Sequence, residues 1–118
     1  MKPTILIIED DTAARHSLKM VLETYGYRVR DFASAEDFAR EPLDPRSFLI
    51  LDISLPGASG LETLRRLRAA GSSVPAVLVS GRASDALQAE AAHLNALAFF
   101  DKPIDIDALL TAVKSIRH

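Results

Sequence analysis

Phe48-Leu49-Ile50-Leu51-Asp52 is four apolar residues in succession closed by a carboxylate. A run with no polar alternation fits a strand covered on both faces, as in a parallel sheet between two helix layers. An acidic side chain where such a strand stops is costly unless it meets solvent, a metal or an opposite charge. The same shape occurs near the start of the chain, where Ile5-Leu6-Ile7-Ile8 runs into Glu9-Asp10-Asp11. Two strand ends carrying carboxylates, side by side in one sheet, make a divalent-cation site with a nucleophile in it.

Further apolar runs cover residues 76–79 and 97–100, and with 4–8 and 48–51 they read as strands buried on both faces. Residues 27–32 alternate apolar positions with Arg28, Arg30 and Asp31, which suits a sheet edge. Helical spacing fills the intervals. Leu18, Val21 and Leu22 precede Gly26, and Leu61, Leu64 and Leu67 precede Gly71, each glycine being a C-terminal stop signal. Ser59-Gly60-Leu61-Glu62 is a capping box, and Ser34-Ala35-Glu36-Asp37 is a weaker relative. Residues 83–94 are alanine-rich and open on Ser84-Asp85, while Asp105 can cap a last helix bearing Ile106, Leu109, Leu110 and Val113. Leu43-Asp44-Pro45-Arg46 reads as a loop. Strand then helix recurs five times. Short right-handed connections then predict an α/β fold, a flavodoxin-like (βα)5 doubly wound parallel sheet of strand order 2-1-3-4-5.

Composition limits the function classes. The 118 residues suit one domain, taken as 1–118. A net charge of −2 gives no long-range pull on nucleic acid or anionic membrane. No run of 18 apolar residues and no basic, apolar leader is present, so the expectation is a cytoplasmic domain without membrane contact. The absence of cysteine excludes disulfides, thiolate metal sites and cysteine nucleophiles.

In open parallel sheets ligands bind beyond the carboxyl ends of the strands, where the winding reverses. With order 2-1-3-4-5 that point lies between the strands ending in Glu9-Asp10-Asp11 and in Asp52. The fourth strand ends in Ser80-Gly81 and the fifth in Asp101-Lys102-Pro103. Carboxylates, a hydroxyl and an ammonium thus converge on one rim. Clustered carboxylates favour a hard divalent cation bound through oxygen, and Mg²⁺ would bridge them to a phosphoryl oxygen. Lysine and hydroxyl suit the remaining phosphoryl oxygens, and one carboxylate serves as nucleophile, forming an acyl phosphate.

Glu9-Asp10, then Asp52 with Pro56-Gly57 and Gly60 behind it, then Ser80-Gly81 and Lys102-Pro103 resemble the motif set of the response-regulator receiver domain over essentially the whole chain. Within that family the chain looks closest to receivers of the nitrogen-fixation regulator type, which often precede a DNA-binding helix-turn-helix module. The resemblance implies a two-component signalling switch, plausibly in a transcription regulator. Asp52 would accept a phosphoryl group from a histidine kinase, a phosphotransfer protein or a small phosphodonor. Asp10, Asp52, Glu9 and the backbone carbonyl of Ser54 would hold Mg²⁺. Lys102 would pair with Asp52 or the phosphoryl group, Ser80 would swing inward to bond it, and Phe99 would be the aromatic switch on the fifth strand. The Lys102–Pro103 bond would be cis. Ser54 and Arg82 would flank the path of the hydrolytic water and tune the lifetime of the phosphorylated state. A homodimer through the fourth helix, fifth strand and fifth helix (α4-β5-α5) is a family expectation, and direct nucleic-acid binding by this domain is not expected.

Plainer roles stand beside these. Asp11 fits a helix start, favourable against the helix dipole, better than a metal ligand. Phe99 could be core, and His16, His93 and His118 have no metal-pair spacing. An aspartyl-nucleophile phosphatase is a rival, but such enzymes usually carry Asp-x-Asp on the first strand, which Glu9-Asp10-Asp11 does not supply. A phosphorylation-independent docking receiver is a further alternative. No Gly-x-Gly-x-x-Gly follows the first strand, against dinucleotide binding. The expectation is no enzyme beyond its own phosphorylation and dephosphorylation.

Overall fold

The computed structural model describes residues 2–53, 60–82 and 84–116. Five strands and five helices alternate: β1 (Thr4–Ile8), α1 (Thr12–Thr24), β2 (Val29–Phe32), α2 (Ala35–Ala39), β3 (Ser47–Asp52), α3 (Gly60–Ala69), β4 (Ala76–Ser80), α4 (Asp85–His93), β5 (Ala98–Asp101) and α5 (Ile106–Lys114). The strands pair in parallel in the order β2-β1-β3-β4-β5. The fold is the α/β doubly wound sheet expected from the alternation.

Strand side chains alternate between two apolar layers. Ile5, Ile7, Ile50, Val77 and Val79 pack with Leu22 of α1 and with Leu109, Leu110 and Val113 of α5. Leu6, Ile8, Leu49, Leu51 and Leu78 pack with Phe38 of α2, Leu61 and Leu64 of α3 and Ala91 of α4. Every residue of β3 and β4 is buried, as their unbroken apolar runs require. β5 departs from that expectation. Ala98, Phe99 and Phe100 are half-buried and Asp101 is exposed. β5 is the second edge of the sheet, with a strand neighbour on one side only, and α4 beside it buries only Ala91.

Helix ends follow local chemistry. The side chains of Asp11, Ser34, Ser84 and Asp105 each accept the backbone N–H three residues on, at the starts of α1, α2, α4 and α5. Asp11 is therefore a helix cap. α1 and α3 close on Gly26 and Gly71, at φ 88° and 89°, with Tyr27 N–H donating to Leu22 O and Ser72 N–H to Leu67 O. This use of Tyr27 explains why β2 begins at Val29. Asn95, at φ 56°, ends α4 in the same way, with Ala96 N–H on Ala91 O. Residue Ser59 of the capping box lies outside the described residues.

Gly60, the first residue of α3, lies against the end of β3. A Cβ there would sit 2.5 Å from Asp52 O and 2.8 Å from Asp52 C, atoms of strand backbone with no freedom to yield. Gly60→Ala is expected to destabilise the fold by roughly 1–3 kcal/mol through overpacking. Urea denaturation checks this, and an unchanged midpoint would mean that α3 can shift away from β3 without loss.

Candidate functional site

The parallel winding brings four strand ends to one rim. Ile8 is in register with Leu51, so Glu9 and Asp52 leave adjacent strands at the same level. Asp52 is in register with Val79, and Ser80 with Asp101. Glu9, Asp52 and Ser80 are 7%, 3% and 4% exposed, whereas Asp10 faces solvent. Lys102 follows β5 and reaches back across the rim. Its Nζ donates to Asp52 Oδ2 at 2.7 Å and to Glu9 Oε1 at 2.9 Å.

Burial, followed by the neighbouring Asp52 carboxylate, pushes Glu9 up to about 7 against the opposing pull of Lys102. Burial by itself would lower Lys102, but its hydrogen bonds to Asp52 and Glu9 outweigh it and push the ammonium up to about 12. Glu9, Asp10 and Asp52 each offer an oxygen within 4.8 Å of the others. Glu9 Oε2 is buried without a hydrogen-bond partner among the described residues. Among the described residues, three carboxyl groups against one ammonium, with the Glu9 Oε2 acceptor unsatisfied, fit a hard divalent cation.

Ser80 Oγ accepts the Arg82 backbone N–H at 2.9 Å, which leaves its own proton to donate elsewhere. Arg82 is exposed, and Lys102 is the cation that meets the Glu9 side chain. Phe99 packs half-buried on the α4 side of the sheet. The Lys102–Pro103 peptide is cis. Ser54 and Pro56-Gly57 lie outside the described residues. One supporting residue was not visible in the sequence. Arg15 of α1 donates through Nη1 to Glu9 O and through Nε to Asp31 Oδ2, both at 2.9 Å, and so ties the end of β1 to β2. Lys19 adds a bond to Asp31 at 3.2 Å. Burial acts to raise the Asp31 pKa, but Lys19 and Arg15 outweigh it and lower it. The clue was an acidic residue inside the alternating β2 run, with cations one helical turn apart on α1.

The model of the response regulator receiver domain matches residues 5–114. The transcriptional regulatory protein FixJ of Azorhizobium caulinodans is 39% identical over 111 residues, covering 92% of this chain and 52% of the relative. The chain therefore spans about half the length of the curated relative. Among solved structures, the response regulator StyR superposes with a TM-score of 0.87 at 30% identity, over 98% of this chain and 59% of that one. The structure named FixJ-N superposes with a TM-score of 0.85 at 28% identity, over 100% and 98% of the two chains. Among the described residues no helix is long and apolar enough to cross a membrane.

The raised Glu9 has a consequence for stability. From the ordinary carboxylate value of 4.5 up to about 7, the native state holds a proton that the unfolded chain has released. The contribution of this group is therefore full below pH 4.5 and is lost as pH rises towards 7. In EDTA buffer the urea midpoint is expected to fall between about pH 5 and 7.5, and Glu9→Gln should remove that slope. Parallel profiles for the two proteins would show that Glu9 titrates as an ordinary carboxylate.

Proposed function

The chain belongs to the response-regulator receiver family, and on that basis we propose that it is a phosphorylation-gated switch with Asp52 as its phosphoryl acceptor. The supporting observation is the buried Asp52 carboxylate, 2.7 Å from Lys102 Nζ and grouped with Glu9 and Asp10 at the rim. A histidine kinase, a phosphotransfer protein or a small phosphodonor supplies the group. An Asp52 oxygen bonds to phosphorus as the donor's P–N or P–O bond breaks, and the leaving group departs with the bonding electrons. Lys102 shifts from the carboxylate to a phosphoryl oxygen, and Ser80 gives its hydroxyl proton to another. Glu9, Asp10 and Asp52, with the Ser54 carbonyl by resemblance, would hold Mg²⁺. Bound there, Mg²⁺ would neutralise charge on the remaining oxygen.

Return to the resting state is hydrolysis. Water attacks phosphorus, the bond to Asp52 breaks, and inorganic phosphate leaves with the carboxylate restored. Arg82, together with Ser54 by resemblance to the family, sets the rate of this hydrolysis. Ser80 can turn inward only by giving up the Arg82 N–H, which loosens the connection between β4 and α4. Phe99, packed on the α4 side of the sheet, follows and reshapes the surface made by α4, β5 and α5. That surface then serves a homodimer or an effector domain, with transcription control as the output carried by FixJ-type relatives.

Incubation with Mg²⁺ and acetyl phosphate should add one acid-labile phosphoryl group by intact mass, and Asp52→Asn should add none. No gain, or an equal gain in the variant, would refute the assignment. A second measurement concerns lifetime. Arg82→Ala should alter the rate of phosphate release while leaving the Mg²⁺ binding midpoint in place, and an unchanged rate would remove Arg82 from the hydrolytic step.

A further inference from the structure

A cleft of about 550 Å³ runs inward from the carboxylate rim between α1 and α5. Its walls are Leu18 and Val21 of α1 and Ile104 and Ile106 at the start of α5, all half-buried. Its floor is the sheet face at Ile7 and Ile50, which are 1% and 2% exposed. The gap has a cause in sequence. The stripe of α1 facing α5 reads Ala14, Ser17, Leu18, Val21, and its small members lie at the rim end, where α1 begins. There α1 offers no large side chain with which to close on Ile104 and Ile106 at the start of α5. At the deep end Leu22 and Leu109 are fully buried and the layer is packed.

The head of the cleft is polar and mostly anionic. Glu9, Asp52 and Lys102 border it, with Asp10 of the same carboxylate cluster beside them. Glu9 is 93% buried when counted from its 7% exposure, and its Oε2 has no hydrogen-bond partner among the described residues. A divalent cation at the rim would satisfy that oxygen but would leave the apolar cleft unfilled. The volume lies within the range of small-ligand pockets, which combine apolar walls with a few convergent polar groups.

We propose that this cleft is a binding site for a small amphipathic amine, whose apolar body lies between α1 and α5 and whose ammonium donates to Glu9 at the rim. The sign of the head group follows from the charges. Among the described residues three carboxyl groups face one ammonium, so an anionic ligand is repelled, and a neutral hydroxyl gains a hydrogen bond to the carboxylate without the ion pair that an ammonium adds. The apolar body would cover the side chains of Leu18, Val21, Ile104 and Ile106, which offer water no hydrogen-bond partner. Because the ammonium uses Glu9, amine and divalent cation exclude each other. Only this exclusion rests on the metal-site reading above; amine binding in EDTA does not.

The test uses 2-phenylethylamine, 2-phenylethanol and 3-phenylpropionate as probes, titrated into the protein in EDTA and followed by backbone amide shifts. Above about pH 7, where Glu9 is ionised, the amine should bind roughly tenfold more tightly than the alcohol, as an ion pair added to the hydrogen bond requires, and the carboxylate should not bind. Shifts should centre on residues 14–21 and 104–106. Ser17→Phe fills the mouth of the cleft and should weaken the amine at least about tenfold; Ala14→Leu is a milder filling variant should the first not fold. A separate Mg²⁺ titration of the same variants should be unchanged, so loss of the metal reading is seen independently of loss of the amine. Equal affinity of amine and alcohol, shifts centred elsewhere, or full amine binding by a folded mouth-filled variant would overturn the proposal.

Discussion

The ammonium of Lys102 spans two buried carboxylates, Asp52 at 2.7 Å and Glu9 at 2.9 Å, and it joins the ends of β5, β3 and β1. Neither acid is affordable alone where it stands, at 3% and 7% exposure. Removing one partner of a fully buried ion pair costs about 3–5 kcal/mol. The Lys102 side chain is 35% exposed, so solvent screening brings the figure here below that range. The pair is nevertheless what allows a sheet built from unbroken apolar strands to end in charge. Its position also fixes where chemistry can happen, because the acids and the cation arrive from three strands that only parallel winding brings together.

Among the described residues one cation faces the Glu9 and Asp52 carboxylates and the exposed Asp10 beside them. Burial and the Asp52 charge push Glu9 up to about 7, and its second oxygen remains unpartnered among the described residues. The resting site therefore has a deficit of positive charge, which a proton, a divalent cation or an organic cation can each reduce. These occupants compete for the same carboxylate. The backbone side of the site is the opposite case, with little latitude. Gly60 lies so close to Asp52 O that no larger residue fits, and Arg15 pins the Glu9 carbonyl to Asp31.

Most of the fold was legible because its determinants are local or periodic. The apolar runs of β1, β3 and β4, the caps at Ser34, Ser84 and Asp105, and the stops at Gly26 and Gly71 each act within a few residues. β5 misled because Phe99 and Phe100 look like central-strand residues, although the expected strand order already placed β5 at an edge, where half-burial follows. The rim was legible as a set of residue types at strand ends, while its wiring was not. That Lys102 serves Glu9 as well as Asp52 depends on a separation of 93 residues in the chain. The Arg15–Asp31 tie depends on β1 and β2 being neighbours, and the cleft on which helices flank each other. These are tertiary facts, without a period or a cap to announce them.

The central strands and α4 differ in how firmly they are held. β3 and β4 are buried throughout, so their strand ends are rigid supports for Asp52 and Ser80. α4 fully buries only Ala91, its Leu87 and C-cap Leu94 packing half-buried against the layer that holds Leu61 and Leu64 of α3, and polar contacts add to this attachment. Arg65 reaches Glu90 at 3.0 Å, and Arg68 donates to Leu94 O at 2.8 Å as well as to Val74 O at 2.8 Å. An exposed ion pair such as Arg65–Glu90 contributes about 0–1 kcal/mol, much less than a buried apolar side chain. Displacing α4 therefore costs less than displacing a central strand. Ser80 stands at the boundary between these regimes, with its main chain in β4 and its hydroxyl bonded to the N–H of Arg82, two residues on toward α4. On the switch proposed for Ser80, a change of partner at that one hydroxyl would act on the element that resists least, so a local event at the rim would be felt at a distance without deforming the sheet that supports it.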